Sequence, residues 1–411
     1  RANMVHRHNT SSWISIIIII VLTAGMTACG GPASDTPGVT DDEIVIGTWG
    51  PLTGPAALWG GVVRGMEAYF QLINEEGGIH GRQIRLVYRD DGYEPPRTVS
   101  AVRQMVQNDE VFLFVGGIGT APGMAVRNFI TDNNIPWISP ATGSTHFAYP
   151  PRENIFSMYP LYVDDAALQV EYAVNELDAS RIAIIYQNDD YGKGGLTGAE
   201  MALEEMGMQL VAQVSTEIMD SDLSSHAARL RESGADVVLL WVLPRQAAII
   251  LGTTAVLGYQ PQWIASSTLS DYELMYEITD GAWEGVIFSN FGLIPTDDHP
   301  IVNKYRDALH RFSPENRYSS FTQSGFLFAE PLVEALRRAG RDLTREKLIE
   351  AMESLDGFQG IGPEISFAPG QRQGSRSLKL DRVIGPQQVE SLTGFRTSGI
   401  NIVEAISRMG L

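Results

Sequence analysis

From residue 44 onward, apolar positions alternate between two rhythms. Ile44-Val45-Ile46-Gly47 is a short continuous run, the pattern of a buried strand. Val62, Met66, Tyr69, Phe70 and Ile73 then recur at helical spacing until Gly77-Gly78 ends the helix. Residues 83–89 read as a strand, and Pro95-Pro96 opens a helix with Val99, Val102, Met105 and Val106 on one face. Residues 111–115 form another buried strand, and a helix and Ile135-Pro136-Trp137-Ile138 follow. The alternation resumes with strands over 181–186, 209–215, 236–242 and 262–266, separated by helices over 193–206, 223–232 and 245–257. Strands alternating with helices predict an α/β fold with parallel sheets covered on both faces. The pattern falls into two blocks, 43–160 and 181–266, each of domain size.

Beyond residue 285 the rhythm weakens. Gly285-Val286-Ile287-Phe288-Ser289 reads as a strand, and helices follow near 298–312 and 320–338, the second interrupted by Pro331. Thr344 is placed to cap a helix running to Leu355. Residues 363–411 hold strand-like pieces between Gly and Pro, and no solenoid repeat is visible.

The front of the chain has a different character. Residues 14–22 are an apolar run preceded by Arg1, His6, Arg7 and His8 and followed by Met26-Thr27-Ala28-Cys29. Charged, apolar and small-residue segments in this order predict a signal peptide over residues 1–28. The apolar run is shorter than the roughly 20 residues that span a bilayer. Cleavage would leave Cys29 first, where two or more acyl chains on it would anchor the protein. The alternative is an ordinary secretory signal with a chance cysteine. Residues 29–41, rich in Gly, Pro, Ser and Thr, read as a flexible tether. The expected location is the periplasm or cell surface, with a lipid as the sole membrane contact.

Composition narrows the partners. The 411 residues carry a formal charge of −19 and no Lys/Arg-rich run, which argues against nucleic acid. The acidity favours solubility. Cys29 is the only cysteine, so neither a disulfide nor a thiolate zinc site is available, and stability must come from packed cores. His80, His146, His226, His299 and His310 are scattered without metal-ligand spacing, so no metal is expected.

In open parallel sheets, ligands sit beyond the C-terminal strand ends. The loops there span residues 50–60, 116–121, 139–144, 187–192, 243–245 and 265–268. Small residues and hydroxyls before helix starts suit an anion, because free N–H groups point outward. Thr120 and the amides near Gly143 and Ser144 are placed to hold a carboxylate. A dinucleotide fingerprint fails at residues 117–123, where Pro122 replaces a small residue. Nucleophile elbow, Walker loop, zinc-protease and paired-acid patterns are all missing, so neither an enzyme nor a cofactor is expected.

Several motifs then occur in order: Gly50-Pro51-Leu52-Thr53-Gly54, Asn74-Glu75-Glu76-Gly77-Gly78-Ile79-His80-Gly81-Arg82, Asp90-Asp91-x-Tyr93-x-Pro95, Ile138-Ser139-Pro140 and Asn188-x-x-Tyr191-Gly192. Together they resemble the leucine/isoleucine/valine-binding protein family, the periplasmic solute-binding components of ABC importers. The resemblance spans the body of the chain and is densest over 44–144. It implies two Rossmann-like lobes joined by three hinge crossings that close on a ligand. Lobe I would comprise 42–162 and 290–368, lobe II 163–289 and 369–411.

The resemblance also implies site roles. Thr120 falls where a hydroxyl holds the ligand carboxylate, and Ala141 and Gly143 where backbone groups meet carboxylate and ammonium. Trp59 falls where an aromatic packs on the ligand side chain, and Tyr191 on a second-lobe aromatic that closes the pocket. Val242 stands where the amino-acid binders have a Tyr, and Ser267 where they have the Glu for the ammonium; Asp271 is the nearest substitute. The expected ligand is a small carboxylate-bearing solute: a branched-chain or related amino acid, an amide or an aromatic acid. The expected partner is an ABC permease. The same lobes also serve as ligand domains of signalling proteins, which continue into a transmembrane helix or kinase; no such segment is read before Leu411, so the importer role leads. An exported hydrolase is the third alternative.

Overall fold

The computed structural model describes residues 36–411, together with Ala2. The expected signal peptide and Cys29 lie outside the described residues. Val45 to Gly50 are all buried, which makes β1 (Glu43–Gly50) a central strand. It pairs in parallel with β2 (Gln83–Asp90) on one side and β3 (Leu113–Val115) on the other. β4 (Trp137–Ile138) and β5 (Ile155–Phe156) extend the sheet, giving the order β2-β1-β3-β4-β5.

A second sheet has the order β12-β11-β10-β9-β8-β6-β7. Its parallel part comprises β6 (Ile182–Gln187), β7 (Ala212–Thr216), β8 (Val237–Trp241), β9 (Gln262–Ala265) and β10 (Ile287–Asn290). β11 (Lys379–Gly385) and β12 (Gln388–Ser391) add antiparallel to its edge. This is the two-lobed α/β architecture with parallel sheets that the periodicity predicts.

Most helices fall where the apolar spacing places them. α1 (Gly61–Glu75), α2 (Pro95–Gln107) and α3 (Thr120–Asp132) follow β1, β2 and β3. α5 (Asp190–Glu205) starts at the N-cap Asp189, whose carboxylate accepts from Tyr191 and Gly192 amides; the helix preceding it is α4 (Tyr162–Glu176). α6 (Ser224–Ser233), α7 (Pro244–Val256) and the short α8 (Tyr272–Ile278) complete the middle of the chain. α9 (Pro300–Phe312), α10 (Ser320–Ala339) and α11 (Arg345–Glu353) come next, and α12 (Ile402–Arg408) ends the fold. Thr344 caps α11 through its hydroxyl, which accepts from the Lys347 amide.

Three expectations need correction. Pro331 does not interrupt its helix: α10 runs on through it. The proline costs one backbone hydrogen bond, but residues 325–333 are all buried, and packing outweighs that loss. α4 and α8 stand where the sequence pattern gave no element. The tail is not only strand, since α12 follows β12.

The chain passes between the sheets at three places. Two of them run side by side: the Ser157 amide donates to the Arg372 carbonyl at 2.9 Å, and the Gly374 amide donates back to the Ser157 carbonyl at 2.8 Å. The Arg376 guanidinium then grips Asp164 at the start of α4 through both oxygens, at 2.6 and 2.7 Å. Helices α9, α10 and α11, which follow β10 in sequence, pack on the first sheet's side: α9 and α10 lie along α1, and α10 also touches β3 and β4.

Candidate ligand-binding site

The cavity between the lobes lies at the C-terminal ends of the strands. Its shape begins with local capping. The Asp90 carboxylate at the end of β2 accepts from the Leu52 and Thr53 amides and, at 2.6 Å, from the Thr53 hydroxyl. The Pro-Leu-Thr-Gly motif is thus tied to the neighbouring strand, and Trp59 is presented at the turn that follows. Asp91 holds the next loop: its carboxylate accepts from the Tyr93 amide at 2.9 Å and the Thr98 hydroxyl at 2.8 Å. Tyr93 then meets Trp59 edge to face, with centroids 5.4 Å apart. Gly119, at φ 106°, lets α3 start against that ring, because a Cβ there would lie 2.4 Å from Tyr93.

The space free of protein atoms between the lining residues, open solvent at its mouth included, is about 520 Å³. Of the expected residues, Trp59, Thr120, Ala141, Tyr191 and Ser267 line it. Gly143, Ser144 and Asp271 do not. Gly143 packs behind, its carbonyl accepting from the Tyr162 amide at 2.8 Å. Ser144 is buried, with its amide donating to the Thr142 hydroxyl at 3.1 Å. Asp271 caps α8, one oxygen accepting from Leu274 and the other from the Phe321 amide at 3.0 Å. Val242 also lies away from the cavity, in the core on the far face of the second sheet. The ring at this strand end is Trp241, whose centroid is 5.6 Å from those of both Tyr162 and Tyr191.

Sequence reasoning missed a large part of the wall. Tyr159 and Tyr162 come from the first crossing, and Phe291 from the second. Phe321, Ser324 and Phe328 come from one face of α10. Tyr93 was visible only inside a quoted motif. Its signal is the preceding Asp91, an Asx turn that fixes the loop.

Polar groups cluster at two ends. On the first lobe, the Thr120 and Thr142 hydroxyls lie 2.7 Å apart, and the Tyr162 phenol is within hydrogen-bonding reach of both. Burial pushes that phenol up to about 12, so it stays a donor at neutral pH. Among the described residues no side chain caps the start of α3 beside them. On the second lobe, the Tyr191 hydroxyl bonds Ser266 at 2.9 Å and Thr268 at 2.7 Å, and Tyr159 bonds Ser267 at 3.0 Å. The lobes meet where the Trp59 indole N–H donates to the Thr268 carbonyl at 2.9 Å. Such a site can enclose and orient a small molecule. Among the described residues no group of three His, Cys, Asp or Glu is placed to hold a metal. No helix among them is long and apolar enough to cross a membrane.

This fold and site have relatives. The profile of the periplasmic binding protein family matches residues 43–385. The "Leu/Ile/Val-binding protein homolog 2" of Brucella abortus is 28% identical over 334 residues, covering 80% of this chain and 87% of that protein. The "Amino acid binding protein" of Pseudomonas aeruginosa is 25% identical over 303 residues, covering 72% and 79%. A fatty acid ABC transporter substrate-binding protein from Thermomonospora curvata superposes with a TM-score of 0.81 at 24% identity, covering 88% and 94%. A branched chain amino acid ABC transporter protein from Thermus thermophilus with bound valine gives 0.80 at 21%, covering 89% and 98%. At these identities the two structures show likeness of fold, and their ligands differ. The family match covers most of the body of the chain, and this protein belongs to the periplasmic binding protein family.

Proposed function

We propose that the protein is the extracytoplasmic solute-binding component of an ABC importer. It closes its two lobes on a small carboxylate-bearing solute and delivers it to a permease in the membrane. The observation that carries this is the enclosed cavity at the strand ends, bridged from lobe to lobe by the Trp59–Thr268 hydrogen bond. In this reading lobe I comprises 42–162 and 290–368 and lobe II 163–289 and 369–411; the packing of α9 to α11 beside α1 and the first sheet supports the division. Thr120 holds the carboxylate, Trp59 and Tyr191 close on the body of the ligand, and Ala141 and Ser267 complete the wall. The test is a thermal-shift screen of small carboxylates and amides. A ligand at 100 times its Kd adds about 2.7 kcal/mol of stability, and a screen without a single stabilising solute would overturn the reading.

In the same reading Cys29 carries the lipid that keeps the protein at the membrane. Cys29→Ser is expected to release it into the soluble fraction with solute binding unchanged. An unmodified Cys29 thiol in membrane-bound protein, seen by mass spectrometry, counts against the anchor.

A further inference from the structure

Resting on the reading of the cavity as a solute site, we propose that its ligand is an aromatic monocarboxylate carrying no ammonium group. Not one of the described residues that line the wall is an acid, a lysine or an arginine. Three carboxylates lie directly behind it, and each is already committed. Asp165 accepts from the Ser267 amide at 3.0 Å and, through its other oxygen, from the Gln169 amide group at 2.9 Å. Asp189 accepts from the Tyr191 and Gly192 amides with one oxygen and from Gln187 with the other. Asp271 accepts from the Phe321 and Leu274 amides, one per oxygen. Each carboxylate therefore positions a residue of the wall (Ser267, Tyr191 or Phe321) rather than facing the cavity. Burial raises all three above the usual carboxylate range, which weakens them further as partners for a cation. An ammonium brought here loses its water and meets no counter-ion.

The opposite end suits an anion. Thr120, Thr142 and Tyr162 bring three hydroxyls together beside the uncapped start of α3. The body of the cavity suits a flat ring. Tyr159 and Tyr191 have their hydroxyls engaged with Ser267 and Ser266/Thr268, so they offer ring faces and edges to the ligand, as does Tyr93 beside Trp59. Phe291, Phe321 and Phe328 offer nothing else. Rings packed edge to face or offset favour a ring between them.

Calorimetry on the purified chain with matched probes tests this. 3-Phenylpropanoate and L-phenylalanine share a skeleton and differ by the ammonium, and the acid is expected to bind at least tenfold more tightly. 3-Phenylpropanamide, which lacks the anion, and hexanoate, which lacks the ring, are each expected to bind at least tenfold more weakly than the acid. L-Phenylalanine or L-leucine matching or exceeding the acid would overturn the proposal while leaving a solute site in place. Parity of the amide or of hexanoate with the acid would overturn the carboxylate or the aromatic part respectively. Failure of every probe, and of the wider carboxylate screen, would remove the solute-site reading and this proposal with it.

Discussion

At the scale of single residues, two groups have consequences that can be measured. Thr120 shares a buried hydrogen bond with Thr142 at the end of the cavity suited to an anion. Thr120→Val removes the hydroxyl at nearly constant volume. Loss of a hydrogen bond to a charged group costs about 1.5–3 kcal/mol, so calorimetry with the best carboxylate is expected to show affinity at least tenfold weaker. A change within about twofold (~0.4 kcal/mol) would move the carboxylate site elsewhere. Glu330 is not part of the cavity wall. It is buried, it accepts from the Tyr305 hydroxyl at 2.5 Å and the Ile361 amide at 2.9 Å, and burial raises it to about 7. Because the folded value lies above the unfolded one, the folded state holds the proton more tightly. The stability linked to this proton is complete below the unfolded value of about 4.3 and is lost as pH rises through about 7, a change on the order of a few kcal/mol. Glu330→Gln keeps an acceptor for the Ile361 amide, and the Tyr305 hydroxyl can rotate to accept from the new NH2 group. Its melting temperature is expected to vary less between pH 5 and 7 than that of the parent, as calorimetric scans at each pH would record; equal slopes would count against this role.

At the scale of elements, the contact of α1 with α10 is decisive for the cavity. Both helices contribute to its wall, through Val62 on one and Phe321, Ser324 and Phe328 on the other. They touch backbone to backbone at two glycines. A Cβ on Gly65 would lie 1.7 Å from the Thr322 carbonyl, and one on Gly325 2.2 Å from the Val62 carbonyl. Gly65→Ala must push the helices apart, and overpacking of this kind costs about 1–3 kcal/mol. Denaturant unfolding is expected to show that loss, and binding should weaken with it because the wall moves. Unchanged stability would mean that the helices separate freely.

The same elements show why part of the molecule can be read from its sequence and part cannot. β1, α1, β2 and α2 each have one period and one clear boundary signal, such as Pro95-Pro96 at the first turn. α4 has neither. Its residues 162–170 are all buried, Asp164, Asp165 and Gln169 among them, so no polar face marks a helical period. Trp59, Thr120 and Tyr191 lie in loops that follow strands, where the family resemblance singled them out, and all three line the cavity. The α10 face was not legible, since nothing local joins Phe321 or Phe328 to a strand end 200 or so residues earlier. Only the packed fold brings them there. Val242 follows Trp241 by one position and packs on the other face of the second sheet, away from the cavity.

For the whole molecule, the lobes meet around the cavity through side-chain contacts. The Trp59 indole donates to Thr268, the Phe321 amide donates to Asp271, Arg317 pairs with Glu277 at 2.6 Å, and His146 lies 4.0 Å from the Asp190 carboxylate. Two of the three crossings are bonded to each other, which makes them a narrow axis for a hinge motion. Addition of a confirmed ligand is expected to shrink the radius of gyration in small-angle scattering by drawing open forms into the closed one. Trp59→Phe keeps a ring but removes the bridging N–H, and is expected to lessen that shrinkage at equal ligand concentration. Scattering curves unchanged by saturating ligand would leave closure without support.

The threading of the chain has a further consequence for how such a molecule is made. The first sheet is finished at Phe156, yet α10, which covers it and walls the cavity, begins only at Ser320. The second sheet likewise waits for β11, which begins at Lys379. Neither half is complete as an uninterrupted stretch of polypeptide. A nascent chain emerging from its N-terminus therefore exposes an apolar sheet face until most of the remainder has followed. Each half is completed only by a segment beyond residue 319.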